Sequence, residues 1–142
     1  MQPRGASRCS EWMLDPDTCI AVIKKHQVAL KKMCGKSIGQ VGISSITLGE
    51  VTLGAAKSGP PKAAHDALDE LLLALEVVGV DEAAAMTHGD VRASLEQQGK
   101  PIDPLDTLIG GHAHALDIIL VTHNTREFSR IDGLRLEDWI AQ

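Results

Sequence analysis

The sequence predicts an α/β fold: a three-layer α/β/α sandwich around a central, mostly parallel sheet. Three observations carry that expectation. Short apolar runs alternate along the chain with longer stretches of helical period, the pattern of strand–helix–strand units. The run Ile118-Ile119-Leu120-Val121 is apolar without a break, which suits a strand covered on both faces. With 142 residues, 44 % of them apolar, the chain is long enough for one domain with a substantial core.

Trp12 to Leu14 reads as the end of a first strand, and the fold is expected to occupy residues 13–142 behind an extension at 1–12. Asp17 or Thr18 is placed to cap the next helix, with Ile20 and Ile23 inward. A second short helix through Val28, Leu30 and Met33 stops at Gly35. Val41 and Ile43 form strand two, ending at Ser44-Ser45. Thr47 and Glu50 have capping-box spacing for the following helix, with Ile46, Val51 and Leu53 as its apolar face. Ser58-Gly59-Pro60-Pro61 breaks it. Leu68, Leu71, Leu72 and Leu75 mark a helix from Lys62 to Glu76. Val77, Val78 and Val80 form a short strand, and Asp81 caps a helix that runs to Gln98 and stops at Gly99. Asp103 and Pro104 then make a favourable cap and first residue for another helix. Its stripe is Leu105, Leu108, Ile109, His112 and Leu116. Asp106 lies off that stripe, on a face shared with Gly110 and Ala113, where small residues let a neighbouring backbone approach. Strand Ile118 to Val121, a short helix and a last strand at Leu134 to Leu136 complete the chain.

Composition excludes several classes. The formal charge of −5 offers no global basic field for nucleic acid, although Lys24, Lys25, His26, Lys31, Lys32 and Lys36 cluster locally, as do Arg126, Arg130 and Arg135. Three cysteines (9, 19 and 34), with no C-x-x-C, argue against a disulfide framework or zinc site and suit a reducing cytoplasm. No apolar stretch approaches membrane-spanning length, and residues 1–12 lack the apolar core of a secretory signal. The aromatics are Trp12, Trp139 and Phe128, too few for a base-stacking platform.

Oxygen-bearing side chains recur at equivalent places. Asp15 and Asp17 follow strand one, Glu50 lies in the first turn of the helix after strand two, Asp106 in the first turn of the helix before the central strand, and Asn124 just after that strand. Each alone has an ordinary explanation as a cap, a dipole partner or a turn residue. Together they fall where a parallel sheet gathers its carboxyl ends, the usual place for a ligand. Oxygen-only donors select hard cations such as Mg²⁺ or Mn²⁺, which assist attack on phosphodiesters. His112, on the apolar stripe, reads as a core histidine, and His123 as a solvent-exposed one.

Four segments carry a family resemblance. MLDPDTCIAVIKK resembles M-L-D-T-[ND]-x-C-I-x-x-I-K, and SSITLGEVTLGAAKS resembles S-S-[IV]-T-x-x-E-[IL]-x-x-G-A. PIDPLDTLIGGHA resembles P-I-x-x-x-D-x-x-I-A-x-H-A, and LVTHNTREFSRIDGLRLEDW is similar to L-V-T-x-N-T-x-E-F-x-R-[IV]-x-G-L-x-x-E-D-W. In this order they resemble the PIN-domain ribonucleases, specifically the VapC toxins. The resemblance implies a homodimeric, Mg²⁺- or Mn²⁺-dependent endoribonuclease with metal at Asp15, Glu50 and Asp106. Asn124 holds the fourth position, with Thr122 and Asp17 in support. It also implies a VapB antitoxin that blocks the site, and tRNA as substrate, the initiator anticodon loop being the specific candidate. Lys24, Lys25, His123 and Arg126 are candidate RNA contacts. Pro16, where the family has Thr or Ser, removes a hydroxyl beside Asp15. Gly110 and Gly111 stand where Ala is usual and should loosen their helix.

Two other readings compete. Asp15-Pro16-Asp17-Thr18 superficially resembles the D-x-D-x-T of aspartate-nucleophile phosphohydrolases, with the Thr one position early. A non-catalytic scaffold that binds RNA or a partner would rest on Pro16.

Overall fold

The computed structural model describes residues 10–59 and 61–141. Five strands, β1 (Trp12–Leu14), β2 (Val41–Ser44), β3 (Glu76–Val78), β4 (Ile119–Val121) and β5 (Leu136–Glu137), form one sheet in the order β3-β2-β1-β4-β5, with every neighbouring pair parallel. The helices among the described residues are α1 (Pro16–Ile23), α2 (Gln27–Cys34), α3 (Ser45–Lys57), α4 (Pro61–Leu72), α5 (Glu82–Gln97), α6 (Pro104–Leu116) and α7 (Thr125–Phe128).

The sandwich follows from strands that are apolar on both faces. Leu14, Val41, Ile43 and Val121 enter one core with α1 to α4 and the fully buried Trp139. Met13, Ile118 and Leu120 enter the other with Ile109, Ala113, Phe128 and Ile131 on the α5–α6–α7 side. Gly42 is required in β2, because a Cβ there would stand 2.7 Å from Ser10 Oγ and 2.8 Å from the Glu76 carbonyl oxygen. The chain builds outward from β1 through β2 to β3, then returns to place β4 on β1's other side. The strand order therefore reverses at β1 and β4, and the crevice of a parallel sheet opens at their carboxyl ends.

Several boundaries differ from the sequence expectation. The fold begins before residue 13: Ser10 is buried and hydrogen-bonds to Glu76, and Glu11 and Trp12 donate to the Gln40 carbonyl. The rest of the expected extension lies outside the described residues. α4 ends at Leu72 rather than Glu76, and β5 begins at Leu136 rather than Leu134. Leu53 and Leu105, expected inward, are exposed. Ile20 is also exposed, because α1 turns Thr18, Cys19 and Val22 inward. Thr18 can occupy a core position because its hydroxyl donates to the Val121 carbonyl of β4 at 3.2 Å.

The caps explain the rest. Asp15, not Asp17 or Thr18, caps α1, and Ser44, not Thr47, caps α3. Thr47 is fully buried with no hydrogen-bond partner for its hydroxyl, so the expected capping box does not form, and Glu50 sits in the second turn. Asp103 caps α6 as expected, accepting from the Leu105 and Asp106 N–H groups at 2.9 and 3.3 Å. The two glycines of α6 have packing reasons. A Cβ on Gly111 would lie 3.0 Å from His88 Cα in the backbone of α5, and one on Gly110 would lie 2.6 Å from Ile131 Cδ1.

Candidate active site

At the crevice, Asp15, Asp17, Glu50, Asp103, Asp106 and Asn124 line one cavity of about 250 Å³, with Pro16 and Phe128. Each arrives for a local reason. Asp15 follows β1, in extended backbone at φ −79° and ψ 171°, and its Oδ1 accepts the Thr18 N–H at 2.9 Å. Its own N–H donates to the Val121 carbonyl at 3.0 Å, which ties it to β4. Pro16 occupies the first helical position, where a missing N–H removes nothing and the fixed φ suits the turn. Glu50 lies one turn beyond Ile46, which packs toward the α5–α6 core. Asp103 and Asp106 are the cap of α6 and the residue three further on, one turn apart. Asn124 follows β4, and its N–H donates to Thr122 Oγ1 at 3.0 Å.

The electrostatics are those of crowded negative charge. Burial pushes the Asp15 carboxyl above the ordinary range, the charge of Asp17 adds to this, and hydrogen bonds from Thr122 and Thr18 partly offset it. Burial also raises Asp106, and the charges of Asp103, Asp15, Glu127 and Asp17 push further, to about 6. Among the described residues, no three Asp, Glu, His or Cys side chains close on a common point at metal-ligand distance. The donor chemistry still suits a hard divalent cation, since oxygens are the only donors and a cation would relieve their mutual repulsion.

The structure thus brings together five of the sequence candidates: Asp15, Asp17, Glu50, Asp106 and Asn124. Thr122 is fully buried behind Asp15 and orients it. Four candidates are not among the lining residues. Lys24 and Lys25 sit at the far end of α1, roughly 14 Å from Asp15 along the helix axis. Arg126 is exposed on α7. His123 pairs with Asp138, Nδ1 to Oδ2, at 2.9 Å. Slight burial would raise Asp138, but the Ile140 and Ala141 N–H groups and His123 outweigh it and hold that carboxyl below its usual range. Two members of the basic cluster have structural partners: the Lys36 ammonium stands 4.1 Å over the Trp12 ring, and His26 caps α2, its Nδ1 accepting the Ala29 N–H at 3.3 Å. Sequence reasoning missed Asp103 as a lining residue and Glu127 as a neighbouring charge. The signal for Asp103 was its spacing of three from Asp106, which puts both on one side of a first turn.

A sheet of this order, with carboxylates gathered at its switch point, defines a class of parallel α/β folds with an acidic site, and comparison narrows it. The PIN domain family model matches residues 15–134. The chain is 40% identical over 129 residues to the tRNA(fMet)-specific endonuclease VapC of Shigella flexneri, covering 91% of this chain and 98% of that protein. It is 34% identical over 130 residues to Ribonuclease VapC2 of Haemophilus influenzae, covering 92% and 98%. Among solved structures, DNA-bound VapBC from Salmonella typhimurium superposes with a TM-score of 0.86 at 39% identity, covering 92% of this chain and 98% of that one. VapBC2 of Rickettsia felis on a promoter DNA fragment gives 0.82 at 34% identity, covering 90% and 98%. The chain belongs to the PIN-domain family, in its VapC branch.

Proposed function

We propose that this protein is the toxin of a type II toxin–antitoxin pair. It acts in the cytoplasm as an endoribonuclease on tRNA, with Mg²⁺ or Mn²⁺ as cofactor. The observation that carries this reading is the carboxylate-lined cavity at the sheet's switch point, in a chain 40% identical to a tRNA(fMet)-specific endonuclease. Initiator tRNA is accordingly the substrate of choice. The solved relatives are toxin–antitoxin complexes, which supports a cognate VapB-type antitoxin as partner. The homodimer that the resemblance implies belongs to the same proposal.

An RNA phosphate would be repelled by these acids in water, and this supports a cation bound among them. Asp15, Glu50 and Asp106 would hold it. When bound, such a cation offsets the phosphodiester's charge and makes water a better nucleophile at neutral pH. The chain does the rest. Asp15 is fixed before substrate arrives by the Thr18 N–H and the Thr122 hydroxyl. Asp106, half-buried, accepts the hydrogen bond that aligns the attacking water. Asn124 presents a neutral amide to a phosphate oxygen without adding negative charge. Pro16 leaves Asp15's hydrogen bonds in place, so a silent scaffold has no support from it.

The test is cleavage of total cellular tRNA by purified protein in Mg²⁺ or Mn²⁺ against EDTA, with Asp106→Ala as control. Discrete fragments that require both metal and Asp106 are expected, and their ends name the cut bond. Folded, antitoxin-free protein that cuts nothing in either metal overturns the reading.

A further inference from the structure

His112 does more than fill the core. Its Nδ1 lies 2.9 Å from Ser44 Oγ, and the two residues are 1% and 0% exposed. Ser44 is also the cap of α3, accepting the Ile46 N–H at 3.1 Å. A hydroxyl has one proton and two lone pairs, so it can serve the Ile46 N–H and His112 together in either imidazole tautomer. The Ser44 cap does not need His112. The bond from this buried histidine instead joins the carboxyl end of β2 to the middle of α6.

The placement along both helices gives the bond a function. Glu50 is six residues beyond Ser44 on α3, and Asp106 is six residues before His112 on α6. Six residues span about 9 Å of helix. The Ser44–His112 bond therefore ties together, about 9 Å along each axis from the carboxylate, the two helices that carry Glu50 and Asp106. Both carboxylates line one cavity. Negative charge crowds that cavity, with Asp103, Asp15, Glu127 and Asp17 acting on Asp106, and the buried bond opposes any parting of the two helices, because breaking it leaves polar atoms unsatisfied in the core.

We infer that His112 and Ser44 are positioning residues: their bond sets the Glu50–Asp106 spacing and so the affinity of the site for its divalent cation. The inference rests on the nuclease reading above. Its test uses Mn²⁺ binding by calorimetry alongside single-turnover and steady-state cleavage. His112→Leu keeps bulk and loses the bond. Ser44→Gly loses the bond but keeps a residue that caps nearly as well. His112→Asn places an amide near the Nδ1 position. The first two are expected to weaken Mn²⁺ binding about tenfold, the low end for loss of a group that supports metal ligands. They should lower kcat with KM for RNA unchanged. His112→Asn should stay within twofold of wild type. The double variant His112→Leu with Ser44→Gly should bind no worse than the weaker single, since either alone breaks the same bond.

A merely structural role would lower the melting temperature and leave the Mn²⁺ affinity of folded protein where it was. Folded His112→Leu and Ser44→Gly with unchanged affinity and kcat overturn the inference, as does His112→Asn falling as far as His112→Leu. If His112→Leu does not fold, Ser44→Gly and His112→Asn decide. Wild type that neither binds Mn²⁺ nor cuts RNA overturns the nuclease reading and this inference together. A competent wild type with unaffected variants overturns this inference alone.

Discussion

Neutralising Asp106 should stabilise the metal-free protein. Its carboxyl has a folded-state pKa of about 6 against an ordinary 3.8, with burial as the main cause and four neighbouring acids behind it. Fully expressed, that difference corresponds to roughly 3 kcal/mol. Asp106 is half-exposed, so solvent screening removes a large part. Its place in the first turn of α6 also gives the charge a favourable interaction with the helix N-terminus, of about 0.3–1 kcal/mol, which Asn would forfeit. A net gain of about 1 kcal/mol remains for Asp106→Asn at pH 7.5, or about 4 °C in melting temperature for a chain of this size. The sign follows from linkage. The folded pKa lies above the unfolded 3.8, so the charged carboxylate costs nothing well below 3.8, where it is protonated in both states. The penalty accumulates as pH rises from there to about 6 and is complete above it. Thermal melts in EDTA at pH 7.5 and pH 3 should therefore show a gap at the first pH and almost none at the second. Saturating Mg²⁺ should stabilise wild type and close the gap from its side. A variant that melts no higher than wild type at pH 7.5, or a gap of the same size at pH 3, refutes the reasoning.

Three further outcomes are expected. Asp15→Asn should keep the α1 cap and reduce tRNA cleavage at least a hundredfold, while Asp15→Ala should lose about 1 kcal/mol more in urea unfolding because the cap goes too. Pro16→Thr should leave cleavage within a few-fold and lower stability by less than about 1 kcal/mol, since Pro16 only pre-sets a backbone angle at the helix start. A large gain in activity there would show instead that the missing hydroxyl matters. Gly111→Ala should destabilise by about 1 kcal/mol in the same urea assay. The helix-propensity gain of about 1 kcal/mol is outweighed by a Cβ 3.0 Å from His88 Cα, where the whole of α5 would have to move.

The parallel sheet was readable because its strands are apolar on both faces, and Ile118 to Val121 can be little else. The acidic candidates were readable for a topological reason: carboxyl ends of parallel strands share an edge, so Asp15, Glu50, Asp106 and Asn124 could be placed together without knowing any distance. What was not readable depended on competition between neighbours. Asp15, Asp17 and Thr18 can all cap a helix, and only the bond to Val121 that turns Thr18 inward decides for Asp15. Ser44 outcompetes Thr47 because β2 delivers it at extended backbone angles, φ −68° and ψ 149°, whereas Thr47 is already inside the helix. Leu105 looked like core by period, but it lies exposed in the first turn of α6. Ser44 and His112 stand 68 residues apart, and no local pattern links them. The glycines of α6 announced a loosened helix, and their compensation, close approach of α5 and Ile131, appears only in three dimensions.

The reversal of strand order at β1 and β4 has a consequence for timing. The residues of the cavity come from both ends of the chain: Asp15 leaves β1, and Asn124 leaves β4 more than a hundred residues later. Asp15 is anchored through the Val121 carbonyl, so even its own orientation waits for β4. During synthesis, no nascent chain can assemble the cavity until residues through Asn124 have left the ribosome and β4 has paired with β1. Whatever chemistry the cavity performs is thereby withheld from a partly made chain.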